Sequence, residues 1–261
     1  MELNKIYFED CIETIKRIPD GSIDLMLTDT PYNIIDCKWD YAIDLPVLWK
    51  EWLRIVKKNG AFVFTASQPF TTDLINSNRK YFKYEWIWEK TMGGGVANSS
   101  YMPLKYHENI LVFYRKIPIY NPQREVRSKI GLDRLKNNGK IKEGIKTSKH
   151  NALKKNTGNY REYDIQTILP KSIQKFGSVP NCNGTKLHPT QKPVDLFRYL
   201  IKTYSNEGDT VFDGYMGSGT TAIACIEEKR NFIGSENNKE YFDLSEKRIK
   251  NYLMQQTINF K

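Results

Sequence analysis

Short apolar runs rich in β-branched residues alternate along this chain with stretches whose apolar positions recur every three to four residues. That alternation predicts a parallel sheet crossed by helices. Ile23-Asp24-Leu25-Met26-Leu27 reads as a buried strand ending at Thr28-Asp29. Leu48, Trp52, Leu53, Ile55 and Val56 share one face of a helix from Leu48 to Val56, with Asn59-Gly60 as its stop. Ala61-Phe62-Val63-Phe64-Thr65 is a strand, and Tyr84 to Trp88 and Ile110 to Tyr114 are later strands. Gly93-Gly94-Gly95 fits either a loop over a site or a plain connector. From Ile117 to Asn183 periodicity fades and polar, basic, Asn and Gly residues dominate, as in an inserted region. Regularity returns at Pro193, a helix-opening proline followed by Leu196, Leu200 and Ile201 on one face. Strand Thr210-Val211-Phe212, a glycine-rich turn, helix Thr220 to Glu228, strand Asn231 to Gly234 and a last helix near Tyr241 to Tyr252 complete the pattern.

Composition narrows the class. The chain has 261 residues, enough for one α/β domain with an insertion. Its longest apolar runs fall far short of the ~20 residues that span a bilayer, and the N-terminus lacks the apolar core of a signal peptide. Cys11, Cys37, Cys182 and Cys225 are scattered, which argues against a disulfide framework or a structural metal site and for a cytoplasmic setting. His107, His150 and His188 do not cluster, which argues against metal ligands or a paired base. The net charge of +10 is uneven: between Arg115 and Arg161 stand 14 Lys/Arg and three acids, so this segment carries the excess and the remainder is close to neutral. Such a segment suits a phosphate backbone, and equally a solvated linker.

Two short motifs carry candidate chemistry. Phe212-Asp213-Gly214-Tyr215-Met216-Gly217-Ser218-Gly219-Thr220-Thr221-Ala222 lies between a strand and a helix. Thr220 stands where a phosphate-binding loop needs lysine, which excludes a nucleotide triphosphatase. Gly217-x-Gly219-x-x-Ala222 with Glu236 after the next strand suits an adenosyl ligand whose ribose diol meets a carboxylate, either NAD or S-adenosylmethionine. The second motif, Asp29-Thr30-Pro31-Tyr32-Asn33, follows a strand end, where open α/β sheets place ligands. An exocyclic base amine is a poor nucleophile because its lone pair is conjugated into the ring. The Asp29 carboxylate and the Thr30 backbone carbonyl could hold its two hydrogens while Tyr32 offers a flat face to an extruded base. The same residues would also serve as an ordinary Asp-x-Pro turn.

Taken together, these motifs resemble the amino-methyltransferases of DNA. Asp29-Thr30-Pro31-Tyr32 is similar to their Asp-Pro-Pro-Tyr signature, and Phe212 to Gly219 to their cofactor-binding Phe-x-Gly-x-Gly region. The catalytic motif comes first and the cofactor motif last, the permutation of the β-class. His188-Pro189-Thr190-Gln191-Lys192-Pro193, Asn231 to Glu236, Phe8-Glu9-Asp10-Cys11, and Trp88-Glu89-Lys90 through His107 to Tyr114 extend the resemblance, the last to phage or prophage modification methylases.

The resemblance implies a Rossmann-like fold: a seven-stranded, mostly parallel sheet with helices on both faces, plus a target-recognition insertion. Residues 1–116 would form the catalytic half, 117–187 the recognition region and 188–261 the cofactor half. It implies S-adenosylmethionine as cofactor, held by Asp10, Cys11, Thr190, Lys192, Phe212, Asp213, Gly214, Gly217, Gly219, Thr220 and Glu236, with Asp10 at the adenine and Thr190 and Lys192 at the methionine end. Asp29, Thr30, Pro31 and Tyr32 would be catalytic. Double-stranded DNA would be the partner, contacted by Arg124, Arg127, Lys129, Arg134, Lys154 and Lys155, and no metal is called for. Asp29 implies adenine N6, since cytosine-N4 members usually carry Ser there. None of the cysteines follows a proline, so carbon-5 chemistry is excluded. Two positions depart from the pattern. Thr30 replaces a proline, which predicts a looser turn and reduced activity and leaves a non-catalytic DNA-binding relative as an alternative. Ser235 replaces an apolar residue. Monomer and homodimer both stay open, as do the recognition sequence and any partner nuclease.

Overall fold

A computed structural model describes residues 1–32, 43–137, 166–179 and 190–259. Two compact units emerge, one of residues Met1–Asn121 with Ser172–Lys261, the other of Pro122–Lys171.

The larger unit is built on one sheet. Its strands are β1 (Lys5–Phe8), β2 (Ile23–Thr28), β3 (Val56–Ala66), β4 (Phe82–Gly94), β5 (Lys105–Tyr114), β8 (Ile173–Phe176), β9 (Thr210–Asp213) and β10 (Asn231–Glu236), in the order β1-β10-β9-β2-β3-β5-β4-β8. Pairing is parallel everywhere except on either side of β5, which alone runs against the others. The described sheet therefore has eight strands, not the seven expected. The extra one is β8, a short strand beside β4 that comes from the stretch assigned to the recognition region.

The helices are α1 (Cys11–Arg17), α2 (Leu45–Ile55), α3 (Phe70–Ser77), α5 (Val194–Tyr204), α6 (Thr220–Glu227) and α7 (Lys239–Asn259). Strand alternation sends side chains to both faces. Leu25, Leu27, Val63 and Val112 pack with Leu196, Phe197, Leu200 and Ile201 of α5 and with α6. Met26, Phe62, Phe64 and Phe113 pack on the opposite face with Ile15 of α1, Trp49 and Trp52 of α2, and Leu74 of α3. Because both faces are covered, the central strands read as unbroken apolar runs.

Two local expectations change. Helix α2 ends at Ile55, and its cap Val56 already opens β3. Asn59-Gly60 lies in a shift of register between β2 and β3, where a Gly60 side chain would come within 2.7 Å of the Asp24 carbonyl oxygen. Gly93 and Gly94 belong to β4, and a Cβ on Gly93 would meet the Tyr106 ring at 2.5 Å.

The smaller unit contains an antiparallel ribbon of β6 (Glu125–Val126) and β7 (Thr167–Ile168) and a helix, α4 (Lys129–Asn137). Arg124 donates to the Thr167 hydroxyl at 2.6 Å and Arg127 to the Thr167 carbonyl at 3.1 Å, so both brace the ribbon. Lys129 and Arg134 are exposed on α4.

Candidate active site

The sheet order reverses between β9 and β2. From β2 the chain steps to β3 on one side, and from β9 to β10 on the other. A crevice at the carboxyl ends of two such strands is where open α/β sheets bind ligands. A cleft of about 820 Å³, counting its open mouth, lies there. It is lined by Asp29 to Tyr32 after β2, by Thr190 to Lys192 before α5, by the turn after β9, and by Glu236.

The turn after β9 is shaped by hydrogen bonds that its sequence allows. Gly217 and Gly219 adopt positive φ values of 52° and 78°. The Met216 amide donates to the Ser235 carbonyl at 2.9 Å, and the Gly217 amide to Glu236 Oε2 at 2.8 Å. Glu236 is held at its other oxygen by the Asn238 amide at 2.8 Å, and burial raises its carboxyl above the usual range. Nothing lies within 4 Å of where a Gly217 side chain would begin, so the turn's backbone is open to a ligand. Phe212, Gly214 and Gly219 shape the turn from behind. Phe212 is fully buried, and a Cβ on Gly214 would stand 3.1 Å from Cys11 Cβ.

Asp213 lies beneath the turn. It accepts from the Thr28 hydroxyl at 2.7 Å, the Tyr215 amide at 3.0 Å and the Thr221 hydroxyl, tying β2, β9 and α6 together. Burial pushes its carboxyl up to about 6 against the pull of those donors. Ser235 spends its hydroxyl on the Gly214 carbonyl at 2.9 Å, which accounts for a polar residue in a buried strand. Asp10 and Cys11, expected to help hold the cofactor with Asp10 at its adenine, are not among the residues that line this cleft. Asp10 is exposed and caps α1 through the Ile12 amide, while Cys11 is buried against Tyr215.

Across the cleft, Asp29 is at the centre of a partly buried network. Its Oδ1 accepts from the Tyr32 hydroxyl at 2.5 Å and from the Thr65 hydroxyl. Its Oδ2 accepts from Lys192 Nζ at 2.6 Å. Lys192 also stands 3.5 Å from Glu108 Oε2, and Lys90 binds the other Glu108 oxygen. Burial alone would lower the Lys192 ammonium, but the Asp29 and Glu108 carboxylates hold it above its ordinary value. Burial would likewise raise Glu108, and the two lysines hold it below the carboxylate range. The Tyr32 ring stacks on Phe70 with centroids 5.2 Å apart, and burial pushes its hydroxyl well up. Thr30 is buried, and its hydroxyl has no partner among the described residues.

The motif residues therefore meet in one crevice although Asp29 and Lys192 are 163 positions apart. Sequence reading missed Thr65, Phe70, Lys90 and Glu108. Asn33, His188, Lys154 and Lys155 lie outside the described residues. No helix among the described residues is long and apolar enough to cross a membrane.

A family profile described as "DNA methylase" matches residues 23–247. The chain belongs to the N6/N4 DNA methylase family. The DNA adenine methyltransferase YhdJ of Escherichia coli K12 is 31% identical over 270 residues, covering 95% of this chain and 83% of that protein. The type II methyltransferase M1.MboII of Moraxella bovis is 30% identical over 259 residues, covering 92% and 94%. In fold, the chain is similar to M1.HpyAVI in its complex with SAM, at a TM-score of 0.62 and 24% identity over 94% of this chain and 98% of that one. It is also similar to the cytosine-N4-specific PvuII methyltransferase, at 0.60 and 16% over 92% and 84%. As a member of this N6/N4 DNA methylase family, the protein is a DNA methyltransferase whose cofactor is S-adenosylmethionine.

Proposed function

We propose that this enzyme methylates the N6 amine of adenine in double-stranded DNA in a cytoplasmic setting, with Asp29 as acceptor for the amine. The observation that carries this reading is the position of Asp29. Its carboxylate lines the same crevice as the glycine turn and Glu236, at the strand ends where the sheet order reverses. An aspartate in this position supports adenine over cytosine, for which serine is usual.

When bound, S-adenosylmethionine supplies an electrophilic methyl group carried on a sulfonium. Glu236 and the open backbone around Gly217 suit its ribose and adenosyl part, and Thr190, Lys192, Asp213 and Thr220 complete that side of the cleft. Asp29 and the Thr30 carbonyl accept the two amine hydrogens of an extruded base, and Pro31 stiffens the turn that carries them. As the amine gains the methyl it becomes cationic, and the proton it then sheds leaves to solvent. A carboxylate at that point stabilises the transition state more than the ground state. The Tyr32 hydroxyl and Thr65 hold the carboxylate in place. DNA contacts are assigned to Arg124, Arg127, Lys129 and Arg134 of the smaller unit.

The test is tritiated methyl transfer to DNA followed by nucleoside analysis, with Asp29→Ala and Glu236→Ala measured beside the unchanged enzyme. Label should appear in N6-methyladenine. Asp29→Ala should lose a hundredfold or more, on the order seen when a transition-state partner is removed, with cofactor affinity largely intact, whereas Glu236→Ala should lose cofactor affinity by calorimetry. Label in N4-methylcytosine refutes the base, and full activity of Asp29→Ala refutes the mechanism.

A further inference from the structure

Lys192 stands where the proposed reaction needs the target base. Its ammonium donates to Asp29 Oδ2 at 2.6 Å and lies 5.7 Å from the centroid of the Tyr32 ring. It is a nitrogen donor held by the same carboxylate, and near the same ring, that are to receive the exocyclic amine. While it stays, three donors occupy Asp29: Oδ1 takes the Tyr32 and Thr65 hydroxyls and Oδ2 takes Lys192, which leaves about one acceptor site, on Oδ2. Lys192 and an incoming amine would both draw on Oδ2, the ammonium already standing beside it and near the Tyr32 ring.

A second carboxylate is placed to settle that competition. Glu108 comes from β5, the one strand running against the others, whose N-terminal part lies at the carboxyl ends of its neighbours, with Asn109 paired to Ala66. Lys90 of β4 takes one Glu108 oxygen. The other, Oε2, is buried, lacks a hydrogen bond among the described residues, and lies 3.5 Å from Lys192 Nζ. Among the described residues, Lys105 is another cation nearby, and it donates to Ser67. A shift of Lys192 by under about 1 Å would bring that separation into hydrogen-bond range. The lysine would exchange one charge-assisted bond for another, at little net cost.

We propose that Glu108 is a positioning residue of methyl transfer: it draws the Lys192 ammonium off Asp29 as the target amine arrives, freeing Asp29 Oδ2 to accept an amine hydrogen. No proton or electron changes hands, since Lys192 remains an ammonium and both carboxylates remain anions. The inference rests on the reading of Asp29 as the amine acceptor.

Glu108→Gln keeps the shape but offers Lys192 a neutral oxygen, so the lysine should stay on Asp29. The test compares full-length wild type, Glu108→Gln, Asp29→Asn and the double variant Glu108→Gln/Lys192→Met, on DNA from a host without N6 or N4 methylation. At saturating cofactor, kcat of Glu108→Gln should fall on the order of tenfold to a hundredfold. Its S-adenosylmethionine Kd by calorimetry, which also reports folding, should stay within about threefold. The double variant should be faster than Glu108→Gln, because removing the competitor removes the need for Glu108. A wild-type rate for Glu108→Gln beside an inactive Asp29→Asn overturns the role of Glu108 alone. An active Asp29→Asn overturns the reading of Asp29 and this inference with it. Loss of cofactor affinity in Glu108→Gln, or a double variant no faster than the single, shows Glu108 acting through the fold and overturns the proposal.

Discussion

Thr30→Val separates what the Thr30 side chain contributes from what its backbone does. Thr30 is 3% exposed, and its hydroxyl oxygen is buried without a partner among the described residues. Valine has the same shape and no hydroxyl. Leaving a buried hydroxyl unbonded costs about 1–3 kcal/mol, so the substitution should stabilise the cofactor-free protein by about 1 kcal/mol or more. At roughly 2–4 °C per kcal/mol for a chain of this size class, the melting point should rise by a few degrees. Urea unfolding followed by tryptophan fluorescence measures the first quantity and calorimetry the second. Methyl transfer should remain within a few fold, because the proposed amine acceptor at this residue is the carbonyl. Thr30→Pro, which restores the family's residue, should also keep its activity, since no described residue accepts the Thr30 amide hydrogen. A Thr30→Val protein less stable than wild type would show that the hydroxyl has a partner. A stabilised protein that no longer transfers methyl would show that the hydroxyl itself acts on the substrate. Either result refutes the reasoning.

Asp213 gives a pH prediction. Its folded value of about 6 lies above its unfolded 3.8, so the native state binds the proton more tightly and the stability due to this group is greatest below about pH 4 and declines until about pH 6. The decline is at most about 3 kcal/mol, read as the difference in urea stability between wild type and Asp213→Asn across pH 4 to 7; a difference that does not change with pH refutes it. For the smaller unit, Lys129→Glu with Arg134→Glu should lower the salt dependence of DNA binding by roughly 0.9 for each phosphate no longer neutralised and leave cofactor binding unchanged, whereas an unaltered slope would place the DNA path elsewhere.

The strands that carry the site were legible because burial on both faces leaves continuous apolar runs, as in Leu25-Met26-Leu27 and Ala61 to Phe64. The glycine turn was legible because positive φ at Gly217 and Gly219 restricts the residues that fit. Strand β8, Ile173-Gln174-Lys175-Phe176, was not, since an edge strand half open to solvent carries no long apolar run. Glu108 lies in a stretch that carries the resemblance but was given no role, because its place beside Lys192 depends on the reversed direction of β5, a property of the sheet as a whole. Lys192 was read toward the cofactor from its motif, yet its ammonium reaches a carboxylate at the opposite end of the chain.

The sheet order carries a consequence for how the chain is made. Strands β1 and β2 are synthesised within the first 28 residues, but β10 and β9 lie between them. The two middle strands are the last to leave the ribosome. Until residues 210–236 emerge, β1 has no strand to pair with and the nascent sheet has an open edge at β2, whose apolar side chains await a late partner. These pairings join residues about 185 to 230 positions apart, and closing such long loops slows folding. The crevice bounded by β2 and β9 is thus completed only by the final stretch of translation, and a chain cut short before β9 lacks one of its two walls.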